Sequence, residues 1–179
     1  KKMKKAPITF FITKVHSRCN LNCSYCYEYN LGNDSWKTKP KKMSMDTFEK
    51  LILRIHEHFV TNTPKETPFI AFHGGEPLLQ KPEFFENAIT FARSKIPNIK
   101  FGLQTNGVLL NQKYIDIFLR HKMNVGISLD GEKQYNDDRR VDLKGNGTFD
   151  RTMTGLKQLL KDDNREAFGG ILSVINIKS

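Results

Sequence analysis

Five short runs rich in β-branched and aromatic residues alternate with four amphipathic stretches along the 179-residue chain, and few folds accept that rhythm. The runs are ITFFITKV (8–15), PFIAFHGG (68–75), IKFGLQTNG (99–107), NVGISLDG (124–131) and FGGILSVIN (168–176). Most end at Gly, Asn or Asp, as strands leaving a sheet do. Their polar alternation is weak, which predicts strands buried on both faces. In the first gap, residues 45–61 put Phe48, Leu51, Ile52, Ile55 and Phe59 on one stripe, with Ser44 placed as cap. Pro82 suits the first turn of a second helix carrying Phe85, Ala88, Ile89 and Ala92. Asn111 caps a third, with Tyr114, Ile115, Phe118 and Leu119 inward. Thr148 or Asp150 begins a fourth, with Phe149, Met153, Leu156 and Leu160. Strand and helix in turn imply right-handed crossovers and a parallel α/β sheet in one domain. The pattern fits both a curved barrel and a flat doubly wound sheet. The last strand has no helix after it, so the chain is expected to be a fragment of a longer protein.

In parallel α/β folds the reacting residues gather where strands end. That places SRCNLNCSYCYEYN (17–30), HGGEP (73–77), QTNG (104–107) and SLDG (128–131) together. The first segment holds every cysteine in the chain: Cys19, Cys23 and Cys26. Structural zinc takes four ligands, usually as two separated pairs; here there is one loop, and His16 or His73 would have to complete a site. Iron–sulfur clusters are also held by thiolates, normally four. Three thiolates on a cube of four irons leave one iron open, and an open position is what chemistry at a metal requires. The C-x3-C-x2-C spacing therefore favours a catalytic 4Fe–4S cluster. Clustered free thiols point to a reducing, cytoplasmic setting.

Lys and Arg number 29 against 19 Asp and Glu, a formal charge of +10. The lysines come in short clusters without interleaved aromatics or a groove-reading motif. This favours a solvated or peptide-facing surface over nucleic acid. No apolar run approaches the roughly 18–20 residues that span a bilayer. The N-terminal KKMKKAPITFFI is too short and too broken to read as a secretion signal.

The cysteine loop after a first strand, with Tyr25 just before the third cysteine, resembles that of radical S-adenosylmethionine (radical SAM) enzymes. HGGEP, QTNG and SLDG follow in that family's order, and the resemblance covers essentially the whole chain. It implies a (β/α)6-type partial TIM barrel, here truncated after the fifth strand. Residues 1–179 would then be an incomplete core domain, with the sixth strand and any auxiliary-cluster domain outside it. The implied cofactors are a 4Fe–4S cluster on Cys19, Cys23 and Cys26, and S-adenosylmethionine. Reductive cleavage of the latter would give a 5′-deoxyadenosyl radical that takes hydrogen from the substrate. Gly74, Gly75, Glu76 and Pro77 match the motif that holds the methionyl amino group. The chemistry agrees: glycines let backbone approach a ligand, and a carboxylate accepts from an ammonium. Ser128 and Asp130 stand at a strand end, and Ser128 matches a cofactor contact. Arg140 matches the arginine on the methionyl carboxylate, with Arg139 its rival. Thr105 and Asn106 would face the adenosyl part, Tyr25 would pack near the adenine, and Ser173 and Val174 would back it. His73 borders the site and could order it.

The wording of these segments, with GNGTF further on, looks most like the branch that modifies peptides and proteins. Its members include anaerobic sulfatase-maturating enzymes and maturases of ribosomally made peptides, usually with a C-terminal SPASM domain. The segment NDSWKTKPKKMS, with Trp36 and Met43, resembles the cyclophane-forming maturases. That likeness implies an intramolecular crosslink in a precursor peptide, and an electron donor such as flavodoxin or ferredoxin. The alternatives are formylglycine formation on a Cys or Ser, epimerisation or thioether formation, and a non-catalytic metal- or peptide-binding module. The chain departs from the branch in having no cysteine after Cys26, and no catalytic acid or base is placed by the sequence.

Overall fold

The computed structural model describes residues 8–62 and 67–175. Five strands form one sheet: β1 (Phe10–His16), β2 (Phe69–Gly74), β3 (Lys100–Thr105), β4 (Asn124–Ser128) and β5 (Phe168–Leu172). All neighbours are parallel, and the order is β1-β2-β3-β4-β5. A doubly wound sheet reverses its strand order at a switch point. This sheet never reverses, so each crossover carries the chain the same way round. That is the progression of a barrel wall, and it decides between the two folds the pattern allowed.

Helices α1 (Met45–Asn62), α2 (Pro82–Lys95) and α3 (Gln112–Arg120) fall where the apolar stripes put them. Ser44 Oγ accepts from the Thr47 N–H at 3.2 Å, Pro82 opens α2, and Asn111 accepts from the Lys113 N–H. Between strands and helices lies a core built on Phe48, Ile52, Phe72, Phe85, Ile89, Ile115 and Phe118, all fully buried.

Two expectations need correction. The strands are not buried on both faces. Along β2, Ile70 and Phe72 are buried and pack toward the helices, while Ala71 and His73 are half-buried on the other face. On β1 and β5 that second face leaves Phe10, Ile12 and Leu172 exposed, while Ile171 is exposed on the opposite face of β5. Helices cover one side of the sheet, and the site occupies the other. The fourth gap also holds two helices, α4 (Lys133–Arg139) and α5 (Phe149–Leu159). Thr148 precedes α5 as expected, but its hydroxyl donates to the Arg140 carbonyl at 2.6 Å. Asp137 of α4 caps α5 instead, accepting from the Thr148 and Phe149 N–H groups at 2.8 Å each. The fifth strand ends at Leu172; the last residue of the expected run, Asn176, lies outside the described residues. Among the described residues no helix is long and apolar enough to cross a membrane.

Candidate active site

The cysteine loop leaves β1 and folds back on itself through short turns. The Cys26 N–H donates to the Cys23 carbonyl at 3.0 Å, the Asn30 N–H to the Cys26 carbonyl at 2.8 Å, and the Asn30 amide to the Cys23 carbonyl at 2.7 Å. Two walls hold it. On one side the Gly75 N–H donates to the His16 carbonyl at 2.9 Å and the Glu76 N–H to the Arg18 carbonyl at 3.0 Å. On the other, the Asn22 and Ser24 N–H groups donate to the Val141 and Arg139 carbonyls, at 2.7 and 3.0 Å.

The glycines exist for the first wall. Gly74 has φ +143°, and a Cβ there would overlap the His16 carbonyl; one on Gly75 would overlap the Arg18 backbone and the Tyr29 hydroxyl. The close approach they permit in this structure is to the chain's own cysteine loop, and both also line the cavity described next.

Beyond the strand ends lies a cavity of about 270 Å³. Cys19, Cys23 and Cys26 line it together with Tyr25, Gly74, Gly75, Glu76, Thr105, Asn106, Ser128, Asp130 and Arg140. Four separate strand-end segments thus converge. Pro77 does not reach the cavity; it is buried behind Glu76, opening a short 3₁₀ turn. Arg139 also stays outside and contributes only its carbonyl to the loop, leaving Arg140 as the cavity arginine. Ser173 spends its hydroxyl on the Leu129 carbonyl at 2.5 Å, while Val174 lines the cavity and its N–H donates to Asp130 Oδ1 at 3.0 Å.

Glu76 is fully buried. Its two oxygens accept from the Leu78 N–H at 2.9 Å, the Thr105 hydroxyl at 2.6 Å and the Asn106 N–H at 2.9 Å. Burial pushes its carboxyl above the ordinary carboxylate range, and these three donors and Arg140 oppose that. Thr105 and Asn106 therefore do more than border a ligand: they hold the carboxylate, and the Asn106 amide ties back to Asn20 of the cysteine loop at 2.8 Å.

Opposite stands a triad of Tyr25, Asp130 and Arg140. The Tyr25 hydroxyl donates to Asp130 Oδ2 and accepts from Arg140 Nη1, the latter at 2.7 Å. Asp130 and Arg140 are 4.0 Å apart. Burial, then the Asp130 carboxylate, push the Tyr25 phenol up, so it stays neutral. The sequence pointed Tyr25 toward an adenine; its hydroxyl here orients Arg140.

The residues present fit the group the sequence implies. Arg140 Nε is buried with no partner among the described residues, a vacant donor on a cavity-lining guanidinium that suits a carboxylate. Burial, with Glu76 adding to it, pushes the Cys19 thiol up to about 12, and burial raises Cys23 as well. Thiols so placed ionise only with a cation among them. No three His, Cys, Asp or Glu side chains among the described residues converge as they do around a single ion. A four-iron cube gives each thiolate its own iron and does not ask for that convergence.

Two further cavity groups, Gln104 and Glu28, and one residue behind the cavity, Asn136, were not singled out from the sequence. Gln104 donates to Ser128 Oγ at 2.9 Å, Glu28 pairs with Lys14, and buried Asn136 holds the Asp130 N–H at 3.3 Å from behind. Gln104 stood inside QTNG and was legible there; Asn136 sits in a polar run with no periodicity to mark it. His73 lines the cavity with Nδ1 buried and unpartnered among the described residues, and burial pushes its imidazole down toward the neutral form.

Residues 13–175 match the family model of the radical SAM superfamily. The chain belongs to that superfamily. Radical SAM proteins are a family of enzymes whose cofactors are a 4Fe–4S cluster and S-adenosylmethionine, and Cys19, Cys23 and Cys26 are the three cysteines of this sequence. Among curated relatives, the cysteine-type anaerobic sulfatase-maturating enzyme of Clostridium novyi is 30% identical over 172 residues, covering 94% of this chain and 44% of its own length. The solved structure of native anSMEcpe with bound AdoMet superposes with TM-score 0.76 at 29% identity, over 94% of this chain and 45% of that one. Native anSMEcpe with bound AdoMet and Cp18Cys peptide gives TM-score 0.76 at 27% identity, over 95% of this chain and 44% of that one. The radical SAM chain described here thus spans less than half the length of these three relatives, and its α/β sheet is the family's partial barrel.

Proposed function

We propose that this protein is a radical SAM enzyme that takes a hydrogen atom from a side chain of a peptide or protein substrate. One observation carries the reading: a single cavity presents three thiols, a buried carboxylate and a guanidinium with a vacant donor. Glu76 and Arg140 are complementary to the ammonium and carboxylate of an amino-acid moiety. Bound there, the cluster and S-adenosylmethionine supply a hydrogen-abstracting radical. The chain's own residues bind and orient. Glu76 receives the amino group, Arg140 steadied by Tyr25 and Asp130 receives the carboxylate, and Thr105 and Asn106 keep Glu76 in place. A peptide substrate is supported by the likeness to a relative solved with a peptide bound.

Oxidation of a Cys or Ser to formylglycine is the favoured reaction, because the likeness to sulfatase-maturating enzymes runs over 94% of the chain. Cyclophane formation is the second reading, resting on the segment around Trp36. In the structure Trp36 meets Tyr29 edge-on at 4.9 Å and Met43 packs against the core. Those contacts brace the cysteine loop and are indifferent to which bond the enzyme makes. The test is anaerobic turnover with dithionite, S-adenosylmethionine and a sulfatase-derived peptide carrying Cys or Ser. Formation of 5′-deoxyadenosine with an aldehyde trapped by a hydrazine is expected. A peptide lighter by two hydrogens with no trappable aldehyde would favour the crosslink, and absence of 5′-deoxyadenosine would overturn both readings.

A further inference from the structure

We propose that His73 is a catalytic base: its imidazole takes the thiol or hydroxyl proton of the substrate Cys or Ser as that side chain is oxidised. This rests on the formylglycine reading above. The other polar groups of the cavity are committed elsewhere. Glu76 accepts from three donors, and Asp130 accepts from the Tyr25 hydroxyl and the Val174 N–H. Gln104 and Ser128 bond each other, and Glu28 pairs with Lys14. The Tyr29 hydroxyl lacks a partner among the described residues, but burial, with Cys19 adding to it, holds it as a neutral phenol, which is no base.

His73 is different. It lines the cavity, and its Nδ1 is buried with no partner among the described residues. A structural histidine is fixed through its ring, as His121 is by Arg93 and Glu86 at 3.2 and 3.0 Å. Nothing of that kind holds His73, so its orphaned nitrogen needs another account. Its place supplies one. His73 is the fifth residue of β2, opposite Lys14 of β1, on the site face of the sheet. Glu76 and Arg140, which suit an amino acid, stand past the ends of β2 and α4 at the mouth of the cavity. His73 lines it from within the strand, further down the same wall.

The chemistry fits a base. Burial, then the Lys14 ammonium, push the imidazole below its ordinary 6.5, against the Glu28 carboxylate. The neutral ring keeps a lone pair for a proton. Once protonated, its charge stands near Glu28, while Gln104, lining the same cavity, is uncharged. In the oxidation the substrate Cβ gives a hydrogen atom to the radical, and the S–H or O–H proton goes to His73. The one surplus electron leaves to an oxidised iron–sulfur cluster, and a C=S or C=O bond forms. Water replaces the sulfur of a thioaldehyde with loss of hydrogen sulfide.

The test compares His73→Gln and His73→Ala with the parent, each reconstituted and bound to S-adenosylmethionine. The probes are sulfatase-derived peptides carrying Cys or Ser, or Ala in that place. Aldehyde formed per 5′-deoxyadenosine is expected to fall by about 100-fold in both variants, and added imidazole should restore part of it in His73→Ala alone. Calorimetry gives a second readout. Exchanging the peptide's Cys or Ser for Ala should weaken binding by about 3–10-fold more in the parent than in His73→Ala. Iron content and the S-adenosylmethionine Kd should stay at the parent level, whereas a merely structural His73 would disturb them. An unchanged aldehyde ratio in both variants would overturn the proposal and leave the formylglycine reading standing, as would equal peptide exchanges in parent and variant. A parent that makes 5′-deoxyadenosine but no aldehyde would overturn the formylglycine reading, and the base assignment with it.

Discussion

Glu76 sits under opposed influences. Three donors favour its ionised form, and complete burial favours the acid. An ammonium in the cavity would add the charge that burial demands. Because both oxygens already accept, Glu76→Gln must point an NH2 at a backbone or hydroxyl donor, so the neutral isostere is not benign. A charge-assisted hydrogen bond is worth about 1.5–3 kcal/mol, so S-adenosylmethionine affinity is expected to drop about 10–100-fold. Iron and sulfide content should stay at the parent level; calorimetric titration and metal analysis read the two quantities separately. The same carboxyl gives a pH signature. Its folded-state value lies above the ordinary 4.5, so the native protein binds the extra proton and stability falls as pH climbs from there through the raised value. Ligand-free parent protein should therefore lose more of its melting temperature than Glu76→Gln as pH rises above the ordinary carboxylate value. Arg140→Ala is expected to weaken S-adenosylmethionine by a comparable factor with the cluster intact, and an unchanged Kd would move the carboxylate contact elsewhere. The residue types and strand-end positions of Glu76 and Arg140 were legible in the sequence. Which of Arg139 and Arg140 enters the cavity was not, because that turns on how the end of α4 sits against Tyr25.

At the scale of elements, a stripe was readable wherever burial wrote it. Phe48 to Phe59 and Tyr114 to Phe118 announce α1 and α3 because one face of each packs on the sheet. Helix α4 has no such stripe: Asn136 is its one buried residue, so nothing in KQYNDDR marks it. It nonetheless joins two parts of the site. Asp137 caps α5, and the residues that end α4 hold the cysteine loop through the Arg139 and Val141 carbonyls. Asp137→Ala is expected to cost about 0.5–2 kcal/mol, the usual loss of a helix cap. It should also speed loss of iron–sulfur absorbance under a chelator, since the loop's second wall loosens. Asp137→Asn keeps an acceptor at the same place and should recover most of both. Equal damage from the two substitutions would show that the charge of Asp137, rather than the capping geometry, matters.

For the molecule as a whole, strand order carried what periodicity could not. Alternating strands and helices describe any parallel α/β fold; the uniform direction of the crossovers, which sets barrel against open sheet, depends on which side of the sheet each helix packs. Helices on one side alone leave the other side to the site in the middle and to open edges at β1 and β5. There Phe10, Ile12 and Leu172 are exposed, Ile12 by 63%. Exposed apolar edges invite pairing with other chains. In the 179-residue chain, Ile12→Lys should therefore raise the protein concentration at which light scattering begins. Stability should move by no more than about 0.5 kcal/mol, as for other surface substitutions. A loss near 1.5–3 kcal/mol in chemical denaturation, the worth of a fully buried aliphatic side chain, would mean that Ile12 is covered in solution. The concave face of the barrel wall would then be closed at β1, and access to the cavity would run past Leu172 and Val174 at the β5 edge instead.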